Sequence, residues 1–296
     1  MASPIKEQMI QMGIVQARRV NYTMLSSVTI MIFDWMLTFN METSLIWKSK
    51  WNTTKVLYLI TRYLPFITLP VLLYHEFPGV ALSKSACKQL HDYGAYAFVV
   101  GACFSEMLLT IRTWAIWGKG RGLTYALFGT FTLMWIAVFI LMGFYIKFSK
   151  HDVSPAPQLV GCVLLSAGLY LALCFVLLVL YDAVTLVLMM MRGMSAFRSG
   201  RNSELFRVVY RDGIIYYVYL FGLSLLNIIV IFKLPRKYVT LLVTITGIVH
   251  SVLACRVILH IREQAYNQKK SSVRIENGEN VELALRRGLF EPRASV

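Results

Sequence analysis

Seven long apolar runs constrain this chain more than any other feature. Each has the length of about 20 residues that an α-helix needs to cross a bilayer. None shows the polar–apolar alternation that marks the strands of an outer-membrane barrel. The stretch Gln158–Ser166, before the fifth run, is expected to be a loop. The pattern predicts an all-α integral membrane bundle whose seven transmembrane helices cover Val20–Met41, Val56–Tyr74, Tyr93–Trp117, Leu123–Ile146, Ala167–Met191, Ile214–Phe232 and Tyr238–Ile261.

The charge composition agrees with a membrane protein. Charged residues make up 15% of the 296-residue chain, against about 25% in ordinary soluble domains. The net charge is +15, and a basic excess can indicate nucleic-acid binding. Here the basic residues lie between the apolar runs, where they would face anionic lipid headgroups. We therefore expect the lipid bilayer, and no nucleic acid, as the partner of these charges.

The runs divide the chain into three parts. Residues 1–19 form an N-terminal segment, residues 20–262 form the membrane domain, and residues 263–296 mix acidic and basic side chains, as a mostly disordered tail does. Basic residues are most numerous in the segments that would be cytoplasmic with the N-terminus outside. The positive-inside rule therefore predicts an external N-terminus and a cytoplasmic C-terminus. In this orientation the Arg192–Arg211 loop and the tail could bind a cytoplasmic partner.

Each of the first two runs contains one charged residue. Charged side chains are costly in hydrocarbon and need a partner or a function. Counted from the loop between the runs, Asp34 and Arg62 lie at matching depths of roughly 12 and roughly 10 Å, at 1.5 Å per helical residue. The matching depths predict an ion pair between two antiparallel neighbours. Two roles stay open, which are a structural clamp on the first hairpin and a part in a substrate or ion path.

Three more charged residues extend this intramembrane polar network. Glu106 in the third run and Asp182 in the fifth lie at a similar distance from the inner surface, and Arg112 lies closer to it. With Asp34 and Arg62 they would form one polar layer, which could be a switchable network, a proton or ion relay, or interhelical glue. Because acids outnumber bases in this layer, we expect one of Glu106 and Asp182 to be protonated at rest and to titrate on activation.

Cysteines and prolines mark two further features. Cys87 precedes the third run and Cys162 follows the fourth, so both would lie outside, where disulfides persist. They are the candidate pair for a disulfide. Pro65 and Pro70 fall within the second run, and each removes a backbone donor and should kink the helix. Such a kink in a bundle commonly opens a cavity.

Motifs for catalysis or cofactor binding are missing from the sequence. The five histidines show no paired spacing typical of a metal site, and neither a G-x-S-x-G elbow nor a P-loop is present. The last run contains no lysine for a retinal Schiff base. His250, in that run, is expected to hydrogen-bond to another helix rather than to bind haem. We therefore expect no enzyme activity, no cofactor and no bound metal.

Residues Tyr22–Phe66 carry charged and aromatic residues in a distinctive order. The pattern consists of Phe33–Phe39, Glu42, Ile46–Trp51 and Lys55–Pro65. It resembles a family of fungal, mostly basidiomycete, seven-helix membrane proteins that is defined by a domain of unknown function over this hairpin. The resemblance implies a seven-helix topology and no particular activity.

The layout also resembles G-protein-coupled receptors in outline, with an external N-terminus, Arg112 at the inner end of the third helix and a candidate outer disulfide. It departs from them at Ile111, where an acid would be expected, and the last run lacks an Asn-Pro-x-x-Tyr motif. Three functions therefore stay open. They are a receptor-like sensor, a transporter or channel that uses Asp34, Glu106 and Asp182, and a non-catalytic membrane scaffold.

Overall fold

Seven membrane-length helices make up most of the structure, a computed structural model that describes residues 4–76, 83–118, 120–153, 162–166, 169–198, 204–233 and 237–286. Within these residues, the helices long and apolar enough to cross a membrane number seven. The predicted number of spans is therefore confirmed by length and composition. In chain order the helices are α1 Pro4–Glu42, α2 Thr53–Glu76, α3 Lys84–Ile116, α4 Arg121–Phe148, α5 Leu169–Arg198, α6 Glu204–Lys233 and α7 Lys237–Arg286.

The outer surface of the bundle is apolar, as α4 illustrates. Leu133, Ile136 and Ile140 are exposed along one side of this helix, whereas Trp135 and Val138 on the other side are buried. A continuous exposed apolar stripe of this kind is unfavourable in water. It is the normal covering of a helix that meets lipid tails, which are as apolar as leucine. The arrangement supports a bilayer as the surroundings of the bundle.

The two ends of the bundle differ. α2, α4 and α6 end at one face, which also carries a short antiparallel pair of strands, β1 Lys150–Val153 and β2 Cys162–Ser166. We call this the hairpin face. α1, α3 and α5 end at the opposite face and α7 continues past it, so we call that one the tail face. The loop expected over 158–166 is corrected in part, because 162–166 is a strand that pairs with β1.

Both ends of the membrane domain continue as helix. α1 begins at Pro4, so no break in the helix separates the predicted segment 1–19 from the first span. α7 runs to Arg286, which corrects the prediction that the tail from residue 263 is mostly disordered, and residues 287–296 lie outside the described part. Thirteen of the 25 residues from Arg262 to Arg286 are Glu, Gln, Ala, Lys or Arg. These have high helix propensity and extend a helix that the span has already nucleated.

α7 packs against both helices of the first hairpin. α1 packs mainly against α7, α2 packs mainly against α3 and α7, and the backbones of α1 and α2 approach each other at few points. α1 and α2 therefore meet mainly through long side chains, as in the Arg62–Asp34 ion pair and the Trp35–Phe66 ring contact. Ala254 and Cys255 of α7 are fully buried, and small residues of this kind let a helix approach its neighbours closely.

Two clusters of buried apolar side chains fill the half of the bundle nearer the tail face. One joins α2, α3 and α7 to the end of α1, and its members are Ile46, Leu57, Tyr58, Leu108, Cys255, Ile258 and Leu259. The other joins α3, α5, α6 and α7, and its members are Leu109, Met189, Tyr217, Leu220 and Ala254. A larger cluster packs α4 and α5 against α3, around Trp135 and Phe175.

Candidate functional site

Arg62 is the centre of a buried polar cluster between α1, α2 and α7. Its Nη1 donates to Asp34 Oδ2 at 2.5 Å, its Nη2 donates to the Thr38 hydroxyl, and its Nε lies 3.4 Å from Glu42 Oε2. The three α1 residues are spaced four apart, so they lie on one face of the helix. A planar guanidinium has enough donors to meet all of them. We call Asp34, Thr38, Glu42, Arg62 and Arg256 the Arg62 cluster.

Arg256 brings a second cation from α7 to this cluster. Its Nε donates to Asp34 Oδ1, while Arg62 holds the other oxygen of the same carboxylate. The Arg256 side chain is 41% exposed, whereas those of Arg62 and Asp34 are each 3% exposed. With two arginines and two acids, the cluster has no formal excess of charge. Buried charges are tolerated when they are paired and hydrogen-bonded in this way.

Glu42 is held in place by a widened turn that follows α1. Thr43–Trp47 forms a π-helical turn, in which residues five apart lie above one another. Trp47 is five residues after Glu42, and its Nε1 donates to Glu42 Oε1 at 3.0 Å. Tyr63 of α2 donates to the same oxygen at 2.8 Å. The sequence predicts only an ordinary helix end here, since a π-turn has no propensity signal.

Cations from α2 and α7 also hold the loop after α1. Lys55 Nζ donates to the carbonyl oxygens of Trp47 and Ser49, each at 2.9 Å. Arg262 Nη1 donates to the Leu45 carbonyl at 3.0 Å and to the Ser49 hydroxyl at 2.8 Å. Carbonyls at the end of a helix lack intrahelical donors, and cations there also complement the helix dipole. The first hairpin and α7 are therefore tied together at the tail face as well as inside the bundle.

A second buried cluster joins α3, α5, α6 and α7. The carboxyl groups of Glu106 and Asp182 face each other, with oxygens within 4.8 Å. Ser224 Oγ donates to Asp182 Oδ2 at 2.9 Å, and His250 Nδ1 lies 3.3 Å from Glu106 Oε1. All four side chains are buried. We call these four residues the Glu106 cluster.

The Glu106 cluster contains two acids and no arginine or lysine. Two carboxyl groups hydrogen-bond to each other only when they share a proton, and otherwise they need a cation between them. Donor atoms of Glu106, Asp182 and His250 all lie within 4.8 Å of one another, so these residues could together hold a metal ion. The expectation of no bound metal stays a prediction.

Arg112 of α3 packs against Tyr217 of α6. Its guanidinium carbon is 5.7 Å from the centre of the Tyr217 ring. The Tyr217 hydroxyl bonds to the hydroxyl of Thr113 at 3.1 Å and donates to the Leu109 carbonyl at 3.0 Å. This part of α3 is therefore connected to α6 by an aromatic and hydrogen-bonding contact near the tail face.

Of the five residues expected in one polar layer, two thus belong to the Arg62 cluster and two to the Glu106 cluster, while Arg112 packs against Tyr217. The pair from the first hairpin belongs to one cluster, and Glu106 and Asp182 belong to the other. His250 and Arg256, the α7 members of the two clusters, are six residues apart, which corresponds to about 9 Å along a helix. The clusters are therefore staggered in depth. A role for them as switch, relay or glue stays a prediction.

A cavity between α2, α3 and α7 lies in the half of the bundle nearer the hairpin face. It has about 110 Å³ of space for the centres of water molecules. Its wall along α3 extends from His91 to Ala102, which is about 16 Å of helix. Ala102 is one turn before Glu106, and Ser251 in the wall directly follows His250. The inner end of the cavity is therefore next to the Glu106 cluster.

Pro65 explains a contact at this end of the cavity. Proline has no N–H, so the carbonyl oxygen of Thr61, four residues earlier, has no donor within α2. Ser251 Oγ of α7 donates to that oxygen at 2.6 Å. A proline within a membrane span is tolerated where a neighbouring helix satisfies the freed carbonyl in this way. The proline position is therefore an attachment point for α7.

Cys87, near the start of α3, is buried and disulfide-bonded. Cys103, Cys174 and Cys255 are free. The predicted partner, Cys162, is the first residue of β2, but its side chain lies outside the described part, so the pairing stays a prediction. The disulfide restrains the end of α3 at the hairpin face.

Several members of the two clusters were not expected from the sequence. Glu42 carried a usable signal, because it is eight residues after Asp34 and therefore on the same face of the helix. Arg256 and Ser224 carried none. The spacing of histidines did not reveal the Glu106 cluster, because its possible ligands come one each from three helices.

Comparison with known proteins bears on the first hairpin. Residues 22–67 match a family of unknown function (DUF6533), which agrees with the expected resemblance over Tyr22–Phe66. No curated protein matches the chain. The matched segment contains the α1 and α2 residues of the Arg62 cluster and none of the Glu106 cluster. The chain is therefore similar to this family over the hairpin that carries the neutral ion-pair cluster.

Proposed function

We propose that the protein is a receptor-like sensor in a membrane, with its N-terminus and hairpin face outside. A small, uncharged, mainly apolar molecule binds in the cavity between α2, α3 and α7. α7 then carries the response to the tail face, without catalysis. Its relatives are the fungal seven-helix proteins that the first hairpin resembles.

One observation carries the proposal, namely that the cavity and both polar clusters share one part of α7. Gly247 and Ser251 line the cavity, His250 between them lies beside Glu106, and Arg256 follows within two turns. A ligand that displaces α7 would therefore change contacts in both clusters. Small shifts of packed helices are a common basis of switching, because packed interfaces have discrete alternative arrangements.

The cavity wall indicates the class of ligand. Its lining residues, all within the described ranges, include no arginine, lysine, aspartate or glutamate. The wall is mainly apolar, and hydroxyl groups come from residues such as Thr68, Thr244 and Tyr145. An ion buried there would find no opposite charge. An apolar molecule with one or two hydrogen-bonding groups suits a wall of this kind.

Packing on the tail side supports a sensor over a channel or transporter. Between the cavity and the tail face, one apolar cluster is centred on Tyr58 and Leu108 and the other on Tyr217 and Leu220. These four side chains are nearly completely buried. Dense apolar packing leaves little room for a polar path through this half of the bundle.

Charge and redox chemistry support the proposed orientation. Basic residues favour a cytoplasmic tail face, and the disulfide-bonded Cys87 favours an external hairpin face. A cytoplasmic partner would then meet the Arg192–Arg211 loop and the extension of α7. That helix continues from the end of its span at Gln268 to Arg286, which is about 27 Å.

A distance measurement across the tail face tests the proposal. Tyr125 at the start of α4 and Tyr266 on α7 are both exposed, so spin labels at Tyr125→Cys and Tyr266→Cys would report their separation. The full chain in lipid nanodiscs would be titrated with uncharged aliphatic alcohols, ketones and sterols. We expect at least one of these classes to change the α4–α7 distance in a saturable way.

Two glycine substitutions provide the matched control. A Cβ added at Gly101 would lie 3.6 Å from Leu64, an ordinary contact, whereas one at Gly129 would have nothing within 4 Å. Gly101 lines the cavity, and Gly129 is exposed on α4. We expect Gly101→Leu to abolish the response and Gly129→Leu to leave it intact.

Two further results would separate the alternatives. Ligand-dependent association with G-protein subunits would strengthen the receptor-like role. Saturable flux of a solute or an ion into proteoliposomes, without a change in the α4–α7 distance, would contradict it and favour a transporter or channel. Absence of both flux and distance change would contradict it in favour of a scaffold.

A further inference from the structure

We propose that the Glu106 cluster binds one divalent transition-metal ion of the Zn²⁺ class. The ligands are the carboxylates of Glu106 and Asp182 and the Nδ1 atom of His250. These residues belong to α3, α5 and α7, so a bound ion would cross-link three helices at the centre of the bundle. The proposal concerns this buried cluster and does not depend on a ligand in the cavity.

The first argument is a pair of buried atoms that face each other without a hydrogen bond. Glu106 Oε1 and His250 Nδ1 are both buried and neither makes a hydrogen bond, although they lie 3.3 Å apart. Buried polar atoms without such partners are rare in native proteins. Two ligands of one tetrahedral ion, at bond lengths of about 2.0–2.1 Å, are separated by about 3.3 Å. The two atoms are therefore arranged as ligands of a shared ion.

The second argument is charge. Two carboxylates and a neutral imidazole carry two negative charges, which one divalent ion neutralises. A proton shared between the carboxyls would leave one negative charge in the interior of the bundle, where uncompensated charge is costly. Ser224 donates to Asp182 Oδ2 at 2.9 Å. This hydroxyl orients the carboxylate without adding charge, as residues around a metal site commonly do.

The third argument is the type and number of donors. One imidazole nitrogen and two carboxylate groups, with a fourth position left for water, are a ligand set that Zn²⁺ accepts. Ca²⁺ takes six to eight oxygen ligands, and Mg²⁺ requires an octahedron of oxygens. Both ions prefer oxygen ligands, whereas the imidazole nitrogen of His250 suits ions of the Zn²⁺ class. The chemistry of the donors therefore favours a four-coordinate borderline ion.

A metal count tests this proposal directly. The full-length chain would be purified with a tag that lacks histidine, placed in nanodiscs, loaded with Zn²⁺ and washed extensively. Mass spectrometry of the metal content should give about one Zn²⁺ per chain for the wild type. Glu106→Gln, Asp182→Asn and His250→Ala should each lower the retained metal at least about tenfold. Zn²⁺ should raise the midpoint of thermal unfolding in the wild type and not in these variants.

His260→Ala is the matched control on the same helix. His260 Nδ1 lies 3.9 Å from Glu263 Oε2, in side chains that are 36% and 43% exposed, so this pair is the competing surface site. The control should keep its metal. Loss of the ion in this variant would overturn the proposal.

Two further outcomes would also overturn it. One is a wild type that retains no Zn²⁺ and whose unfolding does not respond to it, which would identify a carboxyl pair that shares a proton. The other is measured on the wild type alone, so it holds even if the variants do not fold. X-ray absorption of the loaded wild type should show nitrogen and oxygen ligands at about 2.0–2.1 Å with an imidazole signature, and a spectrum without imidazole would exclude this site.

Discussion

The Arg62 cluster and the Glu106 cluster both bury charge inside the bundle, but they balance it differently. In the Arg62 cluster, two arginines meet two acids, so the protein supplies all the charges that are needed. In the Glu106 cluster, two acids meet an imidazole and a hydroxyl, so a proton or a cation must come from outside. A self-balanced cluster is suited to holding helices together. A cluster that needs a proton or a cation from outside can change its arrangement when that proton or cation binds or leaves.

The two clusters also differ in where their residues lie in the sequence. The match to a family of unknown function covers residues 22–67, which include four of the five members of the Arg62 cluster. The Glu106 cluster draws on α3, α5, α6 and α7. α7 contributes to both, so it is the element through which they could influence each other.

Substitution of Arg62 is expected to cause the largest loss in the free energy of unfolding. Arg62→Met would leave Asp34 and Glu42 buried with only the partly exposed Arg256 to balance them. Removal of one partner from a buried ion pair costs about 3–5 kcal/mol, so we expect a fall of this size in the free energy of unfolding. Denaturant titration in mixed micelles would measure it. Arg62→Lys keeps the charge and should give an intermediate loss. A loss below about 1 kcal/mol for Arg62→Met would mean that the cluster does not clamp the helices.

Thr38→Val should have the next largest effect. Valine keeps the shape of threonine but removes the hydroxyl that accepts from Arg62. Hydrogen bonds to charged groups contribute about 1.5–3 kcal/mol, and we expect the free energy of unfolding to fall by that amount. Thr110→Val is the matched control near the other cluster, because the Thr110 hydroxyl bonds to a neutral tyrosine, Tyr181, at 2.7 Å. An equal loss in both variants would remove the expected difference between charged and neutral partners.

Glu106→Gln, unlike the two substitutions above, should not lower the free energy of unfolding when divalent metal is removed by a chelator. One of two adjacent carboxyl groups becomes neutral, so the cluster no longer needs a proton to relieve the repulsion between two buried carboxylates. We expect the free energy of unfolding in chelator to stay constant or to rise by about 1 kcal/mol. Asp34→Asn, the same kind of change in the Arg62 cluster, should lower it under identical conditions. Destabilisation of both variants by a similar amount would contradict the claim that the two clusters balance their charges differently.

Ser251→Ala tests whether α7 is attached to α2 through the carbonyl that Pro65 leaves free. Loss of the hydroxyl leaves the Thr61 carbonyl without this donor, and we expect a loss of about 1 kcal/mol in the free energy of unfolding. Pro65→Ala restores an N–H four residues after Thr61. In that background Ser251→Ala should cost clearly less, which a double-mutant cycle would detect. Additive effects of the two substitutions would show that the hydroxyl does not replace the missing donor.

Substitution of Arg256 is expected to cause the smallest loss in the free energy of unfolding. Its side chain is 41% exposed, and ion pairs with an exposed partner contribute about 0–1 kcal/mol. Arg256→Gln should therefore lower the free energy of unfolding by less than about 1 kcal/mol, and added salt should reduce the difference. The loss in Arg62→Met should depend little on salt. A loss at Arg256 equal to that at Arg62 would mean that both arginines are fully shielded from solvent.

The sequence predicts some of these contacts because of simple geometry. A short loop joins the first two spans, so residues equally far from it lie at equal depth, and Asp34 and Arg62 meet at 2.5 Å. The sequence does not predict that α1 packs mainly against α7 or that Arg256 shares Asp34. The tail was mispredicted for a different reason, since its charged composition suggests disorder while its individual residues favour a helix.

The seven spans, their order and the matching depths of Asp34 and Arg62 were determined by the sequence alone, because apolar length and distance from a helix end are local properties. Only the tertiary structure decided which side chains meet. It placed His250 against Glu106, Ser251 on the carbonyl that Pro65 frees, and Trp47 over Glu42 through a π-turn. The physical reason is that the rotation of a helix about its axis, and its choice of neighbours, depend on packing among segments far apart in the chain.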